Sequence, residues 1–438
     1  MQNSKTELIV TEKPAAAAKI AQALGKAEKR NIGGVAYYEI SFSRKKILVG
    51  CAVGHLFSLT QKEKTSGWPV FDIEWVPNFR VKKQDWSKKY YDALKRLSEQ
   101  ADSFIVACDY DIEGELIGWN VIRFICKQKN AKRMKFSTLT SLELKKAYDN
   151  LLEDIDFGQA YAGETRHFLD WLYGINLSRA LMEAVKKTGN FKILSVGRVQ
   201  GPALRLVVEK ERAIRKFKPK PYWQVYLLVR NSHQVEVKFP KDITKKSELA
   251  KFKLLVGKTG EAATKKTEQK IPPPTPFDLT TLQTEAYKFY SITPSRTLQI
   301  AQQLYLAGVI SYPRTSSQKL PPSIAYKEIL RKLSKHTELV KYVKREKPVE
   351  GKKSDPAHPS IYPTGEIKEL SAEEKKVYNL IVQRFISCFC EDAIIENKKI
   401  EVTLNSLKFI TRGLMINCLL YTSPSPRDLS TSRMPSSA

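Results

Sequence analysis

Three carboxylates stand two residues apart in residues 105–115, IVACDYDIEGE: Asp109, Asp111 and Glu113. They come where an apolar run that reads as a strand gives out. Along a strand, residues i and i+2 face the same side, so Asp109 and Asp111 are expected to converge on one ion. Three such charges repel unless a cation neutralises them. All-oxygen ligands suit a hard ion such as Mg²⁺, which commonly bridges carboxylates to a phosphate. The other reading of the segment is an acidic loop that caps the helix after it.

A second constellation lies two hundred residues on, in VISYPRTSS (309–317). Pro313 disfavours a helical conformation at Tyr312, which puts the ring on a turn with Arg314 close by. A tyrosine hydroxyl has a pKa near 10 and needs help to act as a nucleophile. An adjacent guanidinium stabilises both a phenolate and the charge that develops on an attacked phosphate. Taken alone, one of 19 tyrosines beside Pro-Arg reads as a packing residue, and His358 before a proline as a surface residue.

The elements that must position these groups can be read from periodicity. TELIVTE (6–12) reads as a buried strand, PAAAAKIAQALG (14–25) as a helix, and residues 35–42 and 46–53 as paired strands. Helices at 87–100, 115–126 and 141–152 alternate with strands at 103–109 and 132–137, which predicts a parallel α/β sheet. Ligands of such sheets sit at the carboxyl ends of strands, so Glu12 and Asp109 are expected to share a site. Residues 158–217 read as helical. Linkers follow at FKPKPYW (217–223) and IPPPTPFD (271–278), with alternating strand-like residues between them. Helices at 280–290 and 295–308 should end at Gly308.

The formal charge of +28, from 74 basic and 46 acidic residues, favours a polyanionic partner, with nucleic acid the default. No apolar run reaches the length of about 18 residues that a spanning helix needs. The start of the chain lacks the apolar stretch of a signal peptide. The six cysteines form no CxxC pair and read as reduced thiols. GKT at 257–259 lacks the upstream glycine of a P-loop, so no nucleotide cofactor is expected. The basic run 127–135 reads as a solvated face. The Ser- and Pro-rich end from about Leu419 is expected to be a non-native or disordered tail on a truncated reading frame.

Several motifs, in this order, resemble a type IA DNA topoisomerase of the archaeal topoisomerase I and topoisomerase III-like kind: VTEKP (10–14), GHL (54–56), the acidic segment, KFSTLTSLEL (135–144), GETRHFLDWLYGINLSRAL (163–181), LSVGRVQGPAL (194–204), GVISYPRTSS (308–317) and DPAHPSIYPT (355–364). The resemblance implies that Tyr312 attacks a DNA phosphodiester and keeps the 5′ phosphate as an ester. Arg314 would orient that phosphate. Glu12 would manage protons at the 3′ leaving oxygen, and Lys13 would add positive charge beside it. Asp109, Asp111 and Glu113, with Glu12, would hold Mg²⁺ in a Toprim fold. His358 matches a histidine that contacts the phosphate. Arg166, Asp170, Arg198 and Gln200 match residues of a single-strand groove, and His55 of GHL would assist the Toprim site.

The implied architecture is multidomain, α/β plus α plus β. A Rossmann-like Toprim domain (1–157) would be followed by the first part of a helical groove domain (158–217) and of a β-rich arch (218–274). A helical domain carrying the tyrosine (275–391), an incomplete arch return (392–412) and the tail (413–438) would complete it. Together these would build the type IA torus. The implied enzyme is a monomeric, Mg²⁺-dependent and ATP-independent topoisomerase, cytoplasmic and nucleoid-associated, relaxing negatively supercoiled DNA through a single-stranded segment. The alternatives are an inactive single-strand DNA-binding fragment and a Toprim primase or nuclease.

Overall fold

The computed structural model describes residues 5–42, 45–81, 85–230 and 234–417. The chain runs β1 (Lys5–Thr11), α1 (Pro14–Leu24), β2 (Ala27–Ile32), β3 (Val35–Phe42), β4 (Lys45–Cys51), β5 (Phe57–Gln61), β6 (Ile73–Pro77), α2 (Asn78–Val81) and α3 (Ser87–Ser98). Next come β7 (Ser103–Val106), α4 (Ile112–Phe124), β8 (Lys132–Arg133), α5 (Ser141–Asp149), α6 (Phe157–Lys186) and α7 (Gln200–Lys216). The remainder is β9 (Tyr226–Arg230), β10 (Gln234–Lys238), α8 (Ala250–Lys253), β11 (Glu261–Ile271), α9 (Leu279–Tyr290), α10 (Pro294–Ala307), α11 (Tyr326–Leu333), α12 (Ala372–Ser387), β12 (Ala393–Leu404) and β13 (Leu407–Asn417).

Two compact units share this chain. One takes the residues up to Glu211 with Phe277–Ile329 and Lys352–Val382. The other takes Arg212–Pro276, Leu330–Gly351 and the chain from Gln383 on. The segment 275–391, expected as one helical domain, is thus divided between them.

The first unit is built on a six-stranded sheet in the order β2-β3-β4-β1-β7-β8. The strands β4, β1, β7 and β8 are parallel, as the βα alternation predicts, while β2 and β3 add an antiparallel edge. Both faces are covered, so the central strands are apolar throughout rather than alternating with polar residues. On β1, Leu8 and Val10 enter one core with Leu94, Leu97 and Leu116 of α3 and α4. Ile9 enters the other, with Ile20 of α1 and Leu144 of α5. That second core also takes in Leu282 of α9 and Leu304 of α10, together with Ile310 and Tyr312. The helices that carry the tyrosine therefore share a core with one face of the Toprim-like sheet.

The second unit contains a five-stranded sheet, β11-β12-β13-β10-β9, antiparallel throughout. Its core gathers Val237, Phe252, Val402 and Phe409. Strand β13 runs to Asn417, so residues 413–417, expected in the tail, belong to a strand. The rest of that tail lies outside the described residues.

Other boundaries shift. The strand expected at 132–137 is only two residues long, and the helical stretch 158–217 is broken at 187–199. Helix α10 does end at Gly308, which is left-handed with φ 82°. The described cysteines are all unpaired and buried. Among the described residues, no helix is long and apolar enough to cross a membrane.

Candidate active site

Parallel pairing of β1 with β7 and with β4 brings three chain ends to one edge of the sheet. Glu12 and Lys13 follow β1, Asp109 follows β7, and the loop holding His55 follows β4. Ala52 N donates to Thr11 O (2.8 Å) and Gly54 N to Glu12 O (3.2 Å), which extends the pairing past the strand ends. Lys13 Nζ lies 3.2 Å from Glu12 and 2.5 Å from Asp109. Burial opposes the lysine's charge, but Asp109 and Glu12 hold its pKa above the usual value. Burial, with Asp109 adding to it, pushes the Glu12 carboxyl up to about 7.

The acidic segment does not continue the strand as expected. Strand β7 ends at Val106, and Asp111 is the N-cap of α4, accepting from Glu113 N (3.1 Å) and Gly114 N (2.8 Å). Asp109 lies in the turn between, and Glu113 in the first helical turn. Strand alternation therefore does not align these carboxylates; a helix cap does. The turn needs Gly114, because a Cβ there would come within 2.1 Å of the Asp109 carbonyl oxygen. The capping reading holds, and it leaves the second Asp111 oxygen to accept the Tyr312 hydroxyl.

Tyr312 arrives at this carboxylate from the second of the unit's three segments. Its backbone N donates to Ser137 O (2.8 Å), and its ring is 2% exposed. Burial, then Asp109 and Asp111, hold its pKa far above the usual tyrosine value. Behind it, Tyr305 donates to Asp109 Oδ1 at 3.1 Å. His358 packs its ring 4.7 Å from that of Tyr312 and pairs Nδ1 with Ser137 Oγ at 2.9 Å. Its Nε2 is buried without a partner among the described residues. Burial lowers the His358 pKa to about 4.

Glu113 is held on three sides. His55 Nε2 and His167 Nε2 each lie 2.9 Å from its Oε2, and an Arg166 Nη1 lies 3.2 Å from Oε1. Burial opposes ionisation of Glu113, yet the hydrogen bonds from His167 and His55 together outweigh it and depress the pKa strongly. Helix α6 comes this near because a Cβ on Gly163 would meet the Ile112 carbonyl oxygen at 2.3 Å, and glycine has none. Asp170 accepts from Arg198 at 2.8 Å and lies 3.7 Å from Arg166.

A cleft of about 440 Å³ opens over these groups, lined by Glu12, Lys13, Asp111, Glu113, Tyr312 and Arg314 among others. Arg314 is exposed and has no ion-pair partner among the described residues. His55, Arg166 and Asp170 line the same cleft. Asp109 and His358 sit behind its wall, each 4% exposed, Arg198 reaches it through Asp170, and Gln200 is not among its lining residues.

Glu12, Asp111 and Glu113 supply the oxygen donors a hard cation takes, and the Glu12 pKa, raised first by burial and then by repulsion from Asp109 and Asp111, marks a charge that such a cation would stabilise. Asp109 already serves Lys13 and Tyr305. Among the described residues, the three ligand atoms that lie within 4.8 Å of one another belong to a different set, His55, Glu113 and His167.

The profile of the family described as DNA topoisomerase matches residues 154–422, and that of the Toprim domain residues 7–139. The chain belongs to the type IA DNA topoisomerase family. It is similar to DNA topoisomerase 1 of Methanocaldococcus jannaschii, 47% identical over 427 residues that cover 94% of this chain and 56% of the relative. DNA topoisomerase 1 of Pyrococcus horikoshii is 45% identical, covering 93% and 62%. The solved full-length topoisomerase I of Thermotoga maritima superposes with a TM-score of 0.70 at 25% identity, covering 94% of this chain and 66% of that one. This topoisomerase chain thus spans 56% and 62% of the two curated relatives.

Sequence reading missed the strut beneath the acidic turn. Arg133, expected on a solvated face, is fully buried and pairs with the equally buried Glu115 at 2.8 Å. It also donates to Asp109 O (3.1 Å), Val106 O (3.1 Å) and Met134 O (2.8 Å). The signal was period two, since Ala131 and Arg133 share an inward face in the two-residue step of a strand. His167, Tyr305 and Ser137 were missed as well. His167 was findable as the neighbour of Arg166, whereas nothing local marks Tyr305 among the apolar residues of α10.

Proposed function

We propose that this chain carries the cleavage and religation centre of a DNA topoisomerase, acting on a single-stranded segment of DNA without ATP. The observation that carries the reading is the Tyr312 hydroxyl bonded to Asp111 in a cleft that also presents Glu12, Lys13 and Arg314. A Toprim primase or nuclease has no use for a tyrosine seated there.

In the proposed reaction Tyr312 Oη bonds to the phosphorus and the bond from phosphorus to the 3′ oxygen breaks. The phenolic proton passes to the Asp111 carboxylate that already accepts it. Glu12, with its pKa raised to about 7, holds a proton for the departing 3′ oxygen in much of the population at neutral pH. Arg314, exposed and without an ion-pair partner among the described residues, supplies the charge that the phosphate oxygens need. Lys13 keeps the neighbouring carboxylates compact, and His358 Nε2 has a free position for a phosphate oxygen. Transesterification conserves the bond as a phosphotyrosine ester, so resealing reverses the same steps. Glu12, Asp111 and Glu113 would hold Mg²⁺ only in their ionised forms, once Glu12 has given up its proton and Asp111 has passed its own on; when bound, the ion would supply positive charge to the DNA phosphate. Arg166, Asp170 and Arg198 form the charged rim along which a single strand would run.

The test is a covalent trap. The chain is incubated with labelled single-stranded DNA and Mg²⁺, quenched in denaturant and resolved for a protein–DNA adduct. The proposal requires an adduct in the wild type and none in Tyr312→Phe. An adduct that persists in that variant overturns the assignment.

A further inference from the structure

We infer a second metal site in this cleft, one for a borderline dication of the zinc class, made by His55, Glu113 and His167. Two imidazoles and one carboxylate with an open fourth position are a donor set that zinc takes readily and Mg²⁺ does not. Both Nε2 atoms already sit 2.9 Å from one Glu113 oxygen, and the three ligand atoms lie within 4.8 Å of one another. Zinc ligand bonds of about 2.0–2.2 Å fit such a cluster after small side-chain rotations.

The ligands come from separate, well-anchored places. His55 is on the loop after β4, where Asn78 Nδ2 donates to its carbonyl at 2.7 Å. Glu113 is in the first turn of α4. His167 is on α6, its ring 4.7 Å from that of His55 and 5.6 Å from Trp75. Trp75 in turn donates to Glu164 of the same helix at 2.9 Å. Such anchoring removes most of the ordering cost of ligation. All three residues line the cleft, which gives the ion an entry path and the fourth position a water. Arg166 occupies the other Glu113 oxygen, and Asp170 offsets its charge.

This site shares Glu113 with the hard-cation set but is otherwise distinct. A zinc ion there draws Glu113 away from Mg²⁺, which makes the two metals competitors within one cleft. Its binding requires neither DNA nor Tyr312, so its failure leaves the transesterification reading standing, and the reverse also holds.

The test titrates Zn²⁺ and Co²⁺ into the chelator-treated, desalted full chain by calorimetry and visible absorbance. One equivalent should bind, and Co²⁺ should give the intense d–d bands of a four- or five-coordinate N,O site. His167→Asn keeps a donor toward Glu113 but is a poor ligand. It should weaken binding about tenfold or more while leaving circular dichroism and the melting transition close to wild type. His55→Asn should do the same. Binding that is absent at micromolar zinc, unchanged in both variants, or accompanied by a thiolate-to-cobalt charge-transfer band overturns the site.

Discussion

Removing Arg133 tests how the acidic turn is held. Arg133 and Glu115 are both fully excluded from water, and Arg133 alone holds four oxygens: the Glu115 carboxylate and the carbonyls of Val106, Asp109 and Met134. Arg133→Met keeps much of the apolar volume but leaves Glu115 as an uncompensated buried charge, a loss of about 3–5 kcal/mol. Glu115→Leu likewise strands the guanidinium and also frees the Asp156 N–H, which now donates to Glu115 at 2.7 Å. The double variant has no stranded charge. The orphaned backbone groups cost the same in the singles as in the double, so the double should fall short of the sum of the singles by the stranded-charge penalties it avoids. Urea unfolding of the four proteins followed by tryptophan fluorescence closes the cycle. Because Arg133 holds the Asp109 carbonyl, the single variants should also lower adduct yield with single-stranded DNA. A loss below about 1 kcal/mol in Arg133→Met, or strict additivity in the double, would refute the strut.

Other outcomes follow from particular contacts. Arg314→Ala should slow adduct formation by about 10²–10³-fold, with little change in urea midpoint, because the side chain is exposed and has no ion-pair partner among the described residues. Gly163→Ala sets a helix-propensity gain of about 1 kcal/mol against a Cβ 2.3 Å from the Ile112 carbonyl oxygen; overpacking of about 1–3 kcal/mol wins because backbone cannot yield cheaply, and the melting temperature should fall. His358 is held neutral, its pKa lowered from 6.5 to about 4, so its contribution to stability is present above pH 6.5 and is lost as pH falls through about 4. That contribution is on the order of 3 kcal/mol, and His358→Gln should flatten the fall in urea midpoint across this window.

Much of the site was legible because its chemistry is concentrated in short, ordered motifs. The strand ends at Glu12 and Asp109 followed from apolar runs and the βα alternation, and β1 with β7 does bring them together. The acidic triplet was recognised but assigned the wrong local geometry. The four residues of β7, three of them apolar, suffice for a strand, and a helix cap at Asp111 competes with strand continuation after it. Arg133 was hidden by its basic neighbours, since burial depends on a partner 18 residues earlier in the chain that composition does not reveal. The pairing of β11 with β12 was out of reach for the same reason, since it joins Glu261 to Thr403 across a long excursion. β11 itself, EAATKKTEQKI, is exposed along its whole length and carries no alternation to read.

The hydrogen bond from Tyr312 to Asp111 has a consequence for the resting molecule. If Tyr312 is the nucleophile proposed above, one that keeps its proton and points into its own protein is latched. On that reading, stray phosphodiesters drifting past would meet a phenol already engaged elsewhere, and a strand would have to seat in the cleft to compete for that oxygen. The latch uses a carboxylate that also starts a helix, so opening it leaves α4 still capped by the other oxygen. On the proposed reading the tyrosine is thereby kept idle by default, and readiness to react would be conferred by the DNA itself.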